Sequence, residues 1–293
     1  MQKLNRDNYF SPEMEAYYMG SSSFKAWDTE HGGCEAKEVA KRNGEWQDAE
    51  NPAFLLGTYV HSWSSGDLEK FISETPQLFK KDGTLLAKYA LGDKMIDCFK
   101  RDKAMEEMRK GVKENIFTGE IAGVPFKIQV DILNIIETRF CDIKTTKNIY
   151  ERYWNPATCE RESFIQKYDY PIQFAIYAEI LRQNYEKILE DISDKHSEKQ
   201  LEKFQKLMDE NGYLQGYILA VDKQEIPDHQ IIYMGIDEFI KDKLEEISLK
   251  LPHIMDVRSG KVAPKRCEKC DYCRSTKKIV KPVHYLDLLS EGE

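Results

Sequence analysis

Phe126-Lys127-Ile128-Gln129-Val130-Asp131-Ile132-Leu133 and, after a short turn near Asn134 to Thr138, Arg139-Phe140-Cys141-Asp142-Ile143-Lys144-Thr145-Thr146 decide the fold. Apolar and polar residues alternate in the first run, which reads as a half-buried strand, and the second reads as its hairpin partner. Side chains alternate along a strand, so Asp142 and Lys144 share a face while Ile143 turns into the core. The hairpin can set Asp131 beside Asp142, with an ammonium group alongside. Two close carboxylates make a hard oxygen site suited to Mg²⁺ or Mn²⁺. Such an ion stabilises charge building on a phosphate and makes bound water a better nucleophile. Lys144 can orient that water or neutralise the developing oxyanion. The set suits phosphodiester hydrolysis. Taken alone, an Asp-x-Lys triplet is a weak motif, and a solvated ion pair at a strand edge is its simpler account.

Two flanking segments add chemistry. Pro52 to Ser62 reads as a helix with Phe54, Leu55, Val60 and, just beyond, Trp63 on its buried side. Within it, Gly57 permits close approach of a neighbouring backbone or phosphate, and His61 follows one turn later. A neutral imidazole could complete a mixed metal shell; a histidine bonded into the helix packing is the plainer alternative. Downstream, Tyr170 to Leu181 reads as a helix with Pro171 in its first turn. Gln173 and Tyr177 lie one turn apart beside a stripe of Ile172, Ile176 and Ile180. An amide and a phenol there could hold a scissile phosphate or a water, or simply form amphipathic surface.

In order, Gly-x-x-x-His, Asp, Asp-x-Lys and Gln-x-x-x-Tyr resemble the RecB-like branch of the PD-(D/E)XK nuclease superfamily. Within it the chain looks most like the phage-type exodeoxyribonuclease VIII (RecE-like) group. The likeness runs from about Tyr17 to Asp271 and includes the Ala220 to Asp228 strand and turn. It implies His61, Asp131, Asp142 and the Ile143 carbonyl as metal ligands, Lys144 as the catalytic lysine, and Gln173 with Tyr177 on the substrate side. It also implies an Mg²⁺- or Mn²⁺-dependent exonuclease working on duplex DNA ends, 5′ to 3′, in recombination. A single-strand annealing protein would be its partner, and a ring-shaped homo-oligomer its assembly. One departure is that Val130, not proline, precedes Asp131. Glu120 is a further carboxylate candidate.

A second cluster, Cys267-Glu268-Lys269-Cys270-Asp271-Tyr272-Cys273, places three thiols at two-residue gaps, where they can close round a metal or cluster. A fourth ligand could be Cys34, Cys98, Cys141, Cys159 or His284, with Cys34 the best choice. The resemblance supports it, since iron–sulfur relatives tie one early cysteine to three late ones. Here the late spacing is shorter than theirs, so a [4Fe–4S] cluster, Zn²⁺ and free thiols all stay open. Cys98 and Cys159 read as ordinary helix or loop thiols, and Cys141 as core.

The 293 residues can bury a sizeable core, and no stretch is long and apolar enough for a bilayer. Seven cysteines, with three crowded together, point to ligation in a reducing cytoplasm rather than a disulfide framework. The net charge of −8 opposes indiscriminate nucleic-acid binding. Local positive charge is what phosphate tracking needs, however. Arg258 to Lys281 is strongly basic, and Lys147, Arg152, Lys265 and Arg266 are candidate DNA contacts, with a solvated tail as the alternative. Ser21-Ser22-Ser23 reads as a capped helix start, 85–109 as helical, 147–170 as an aromatic-rich loop, 187–211 as a projecting helical hairpin, and 236–251 as a closing helix. The expected architecture is α/β (α+β): a small mixed central sheet flanked by helices, a restriction-endonuclease-like core with a helical insertion. It is read as one domain, 1–293, ending in a basic, cysteine-rich segment over 258–293. A non-catalytic DNA- or partner-binding protein organised by the cysteines, or an endonuclease on the same core, are the competing readings.

Overall fold

The computed structural model describes residues 3–49, 52–155, 158–193, 197–235, 238–279, 281–282 and 284–285. Its centre is a five-stranded mixed sheet built from β1 (Val112–Ile121), β2 (Val124–Asn134), β3 (Arg139–Thr146), β6 (Gln215–Asp222) and β7 (His229–Tyr233). The order is β1-β2-β3-β6-β7, with β3 and β6 parallel and every other pair antiparallel. A small hairpin, β4 (Tyr153–Asn155) and β5 (Glu160–Glu162), lies in the crossover from β3 to β6. The segment 147–170 is thus not only loop, because this hairpin and α8 (Phe164–Lys167) occupy its second half.

Helices cover both faces. Before the sheet come α1 (Pro12–Tyr17), α2 (Ser21–Trp27), α3 (Glu35–Arg42), α4 (Pro52–Ser65), α5 (Leu68–Glu74), α6 (Leu91–Arg101) and α7 (Lys103–Met108). After β3 come α9 (Tyr170–Gln183), α10 (Tyr185–Ser193), α11 (Glu198–Asn211), α12 (Glu238–Arg258) and α13 (Asp271–Ser275). Alternate residues of β6 sort into two cores. Ile218 and Ala220 join α9 and α12, while Leu219 and Val221 join α4 to α7. On β3, Phe140 faces the first core, and Cys141 and Ile143 face the second. Strands β3 and β6 are therefore largely buried on both faces, whereas β2 keeps Gln129 and Asp131 partly exposed between buried Ile128, Val130 and Ile132.

Several local expectations change for physical reasons. Gly20, not a serine, caps α2, and no side chain bonds its free amides, because Ser21 is buried inside the helix. On α4, Val60, Leu55 and Trp63 pack on the second core as expected and Tyr59 joins them, whereas Phe54 is exposed in the first turn. The 85–109 segment breaks at Asp102, whose carboxylate takes the amides of Ala104 and Met105 and starts α7. The 187–211 helices do not project, since Ile188, Phe204 and Met208 are buried in the first core. The predicted start of the closing helix at Ile236 lies outside the described residues, and α12 runs on past Leu251 to Arg258.

Helix α9 is the hub of the first core. Phe174 stacks on Phe140 at 5.3 Å between ring centroids, over Gly216 of β6. A β-carbon at Gly216 would stand 2.5 Å from Phe174 Cδ1 and 2.9 Å from Phe140 Cζ. Gly216→Ala is therefore expected to cost about 1–3 kcal/mol by overpacking. Urea unfolding would show it as a lower midpoint at unchanged slope, and an unchanged midpoint would mean that the rings are not confined as described.

Candidate active site

The site occupies a fork in the sheet. Strands β2 and β3 pair only through Ile132↔Cys141, Leu133↔Phe140 and Asn134↔Arg139. Beyond Ile132 they separate, and Asp131 stands at the opening. Its Oδ2 accepts the Ile143 N–H at 2.7 Å, replacing the ladder bond that β2 no longer supplies. Across β1, the pairs Lys113↔Ile132 and Asn115↔Val130 leave Glu114 opposite Asp131. Glu114 has φ 53°, a left-handed conformation that interrupts the ladder at this point.

The predicted residues converge. His61 Nε2 lies 2.7 Å from the Ile143 carbonyl, and Nδ1 lies 3.5 Å from Asp131 Oδ2. Lys144 Nζ is 2.6 Å from Asp142 Oδ2, and the amide of Gln173 donates to Asp142 Oδ1 at 2.6 Å. The Tyr177 hydroxyl donates to the Gln129 carbonyl at 3.0 Å, so it braces β2 from below. Gly57 is the point where α4 rests on β3, since a β-carbon there would meet Thr145 Oγ1 at 3.0 Å. That close approach carries His61, one turn later, to the fork.

Sequence reading missed one carboxylate. One ligand atom each from His61, Glu114 and Asp131 lie within 4.8 Å of one another, and Gln129 Nε2 donates to Glu114 Oε2 at 2.6 Å. Counting back along the hairpin from Ile121↔Val124 would have placed Glu114 opposite Asp131. Glu120, the candidate named instead, is exposed at the other end of β1, with its backbone bonded to Gln183. Tyr170 was missed too: Lys144 Nζ sits 4.8 Å above its ring.

Charge at the fork is unbalanced. Burial, then the neighbouring charge of Asp142, pushes the Asp131 carboxyl up to about 7. Burial likewise raises Glu114. Burial works against the charge on Lys144, but Asp142, Tyr170 and Asp131 hold its pKa above the ordinary value. Asp142 Oδ2 is buried with no hydrogen bond, because the Lys144 contact is an ion pair without hydrogen-bond alignment. An orphaned carboxylate oxygen beside a second strained carboxylate, with one imidazole and one carbonyl, is a donor set that fits Mg²⁺ or Mn²⁺.

The fork opens into a groove of about 1020 Å³ whose walls include α2, α3 and α4. Its cations are Arg6, Lys41, Arg42, Lys127 and Lys144. None of the four predicted DNA contacts is among its lining residues. Lys147 pairs with Glu151, Arg152 is exposed elsewhere, and the Lys265 amide bonds Glu35. Arg266 is engaged by Glu268, Thr276 and the Cys273 carbonyl.

The structure also brings Cys34 to Cys267, Cys270 and Cys273. Of the other candidates for that cluster, Cys98 and Cys141 are buried in the second core, and Cys159 is exposed next to β5. His284 is not among the residues that meet there.

Because the native Asp131 carboxyl titrates well above its unfolded value of ~3.9, its contribution to stability is full at acid pH. That contribution is lost as pH rises toward about 7. In chelator, the wild type should lose stability over this window, and Asp131→Asn should flatten the slope. Parallel urea-derived profiles for the two proteins would contradict it.

Comparison with known proteins bears on the family and the fold. Among curated proteins, none matches the chain. A crystal structure of a protein from Eubacterium rectale described as a "putative exonuclease" superposes with a TM-score of 0.81 at 30% identity, covering 98% of each chain. A family model described as "PDDEXK-like domain of unknown function (DUF3799)" matches residues 20–192 and 200–276. The fork, the shared fold and these matches make the chain a member of that PDDEXK-like family.

Proposed function

We propose that the protein is a divalent-metal-dependent nuclease that hydrolyses DNA from duplex ends. The observation that carries this reading is the strand fork, which gathers Asp131, Asp142, Lys144, His61 and Glu114 at the floor of a groove of about 1020 Å³. The E. rectale relative's description and the RecE-like motif order support the exonuclease form, with 5′-to-3′ polarity and a recombination role alongside an annealing protein.

A bound Mg²⁺ or Mn²⁺, held by Asp131, Asp142, His61, Glu114 and the Ile143 carbonyl, would supply Lewis-acid stabilisation of the phosphate and acidify water. The chain's own groups do the rest. Lys144, charged and fixed between Asp142 and Tyr170, presents an ammonium to the reacting phosphate. Gln173 fixes the Asp142 carboxylate through Oδ1, while Oδ2, which takes no hydrogen bond, lies against the Lys144 ammonium. Tyr177, whose phenol burial keeps protonated, holds the β2 backbone at Gln129. Arg42 on α3 offers positive charge along the groove wall.

A substrate panel with Mg²⁺ tests the reading: linear duplex, nicked circle and covalently closed circle. Linear duplex should be degraded, with 5′-phosphorothioate ends blocking it and 3′-phosphorothioate ends not. Asp142→Asn should be inactive on all three while unfolding like the wild type. Cleavage of closed circles would replace the exonuclease by an endonuclease, and full activity of Asp142→Asn would remove the site.

Two substitutions separate roles within the fork. Lys144→Ala should lower kcat by ~10²–10³ with little change in KM, as for a group acting on the transition state. Glu114→Gln should instead raise the Mg²⁺ concentration for half-maximal cleavage roughly 10–100-fold. Equal losses of kcat and DNA affinity in the first, or an unchanged Mg²⁺ response in the second, would reassign those residues.

A further inference from the structure

The four cysteine sulfurs come from opposite ends of the chain, yet all lie within 4.8 Å of one another. Cys34 Sγ is 3.6 Å from Cys273 Sγ, and Cys267 Sγ is 3.9 Å from Cys273 Sγ. None of the four is in a disulfide. A [4Fe–4S] cluster, Zn²⁺ and free thiols are the open readings, and these distances bear on the first. In such a cluster a cube of iron and sulfide stands between the thiolates and holds them roughly 6 Å apart. Every pair here is closer than that, so the cluster does not fit. A single tetrahedral ion does: at a Zn–S bond of about 2.3 Å, the thiolates form a tetrahedron with edges of about 3.8 Å.

The surrounding backbone agrees with charged sulfurs. Cys270 N donates to Cys267 Sγ at 3.3 Å, and Cys273 N donates to Cys270 Sγ at 3.5 Å. Each two-residue gap thus turns an amide onto the preceding sulfur. The Arg266 guanidinium, bonded to the Cys273 carbonyl, adds positive charge next to a shell that would carry excess negative charge. Four thiolates with no oxygen or imidazole donor favour a thiophilic ion over the hard cation that suits the fork.

We propose that Cys34, Cys267, Cys270 and Cys273 hold one zinc ion, and that this ion staples α3 to the C-terminal segment. The local packing is too small to do so alone. Cys34, Ala36 and Cys273, with Cys267, Cys270 and Tyr272 beside them, form a cluster separate from both main cores. Helix α3 begins at Cys34 and carries Glu38, Lys41 and Arg42 into the groove wall. Its remaining ties to the tail are backbone and side-chain bonds, Ala36 N to the Lys265 carbonyl and Lys265 N to Glu35 Oε2. The staple therefore sets the position of a groove wall without touching the fork, and it stands whether or not the nuclease reading does.

Metal analysis of the full-length protein, purified without added metal, tests this. About one zinc per chain is expected, with no stoichiometric iron and no labile sulfide. Exchange of the zinc for Co²⁺ should give the intense visible bands of a tetrahedral thiolate site. A zinc-selective chelator, applied in excess Mg²⁺, should lower Tm by several degrees, and added Zn²⁺ should restore it. Cys34→Ser should lose the ion and the chelator response together. If that variant does not fold, the chelator experiment on the wild type decides alone. Iron in place of zinc, a Cys34–Cys273 disulfide, protein that takes up no zinc, or zinc whose removal leaves Tm unchanged would each overturn the proposal.

Discussion

One carboxylate holds the fork open. Where β2 leaves β3, the Ile143 amide would be an unpaired buried donor, and an orphan of that kind costs about 1–3 kcal/mol. Asp131 supplies the missing acceptor through Oδ2. The same side chain is thereby pinned beside Asp142 and Glu114, in a place where burial opposes its charge. Structural need and chemical strain meet in one group. Lys144 offsets one negative charge by its ion pair with Asp142, and the remaining excess is what a divalent cation would neutralise.

This explains what could be read from the letters. The alternation 126–133, the Asp-x-Lys triplet and the Gln-x-x-x-Tyr helix are local patterns, each written in a handful of consecutive residues. They gave the central sheet, the flanking helices and most of the fork. The missed features are non-local. Glu114 belongs to the site only because the β1–β2 register puts it opposite Asp131. The four basic residues chosen by charge density lie outside the groove's lining for the same reason. Arg266 looks free in sequence, but it is spent on Glu268 and the cysteine loop. Conversely, Arg42 attracts no notice in sequence, and only the placement of α3 brings it to the groove.

Burial also changes the meaning of the α9 polar residues. On a solvated helix face, Gln173 and Tyr177 would be ordinary surface. In the structure α9 lies between the sheet and α12, and Ile172, Phe174, Ala175, Ile176 and Ala178 around them are buried. A buried amide and a buried phenol need partners. They find them in Asp142 and the Gln129 carbonyl, one on each side of the fork. The hydrophobic packing of Phe174 on Phe140 thus fixes the polar geometry of the site. A core substitution on α9 would reach the chemistry through these two bonds.

The groove wall is held differently from its floor. The floor is strand backbone clamped between two apolar cores. The wall combines apolar anchors, Phe24 and Trp27 of α2 buried in the first core and Val39 of α3 packed against it, with polar ties to α12 and the tail. Lys250 on α12 meets Asp28 at 2.8 Å, Glu246 at 2.8 Å and Glu30 at 3.0 Å, and His31 adds a 2.7 Å contact to Asp28. Although burial opposes its charge, the bonds from His31 and Lys250 draw the Asp28 carboxyl down to about 2, so the network stays ionised at neutral pH. The carboxylates of Asp28 and Glu246 and the His31 imidazole lie close enough together to hold a cation, but the Lys250 ammonium already sits among them.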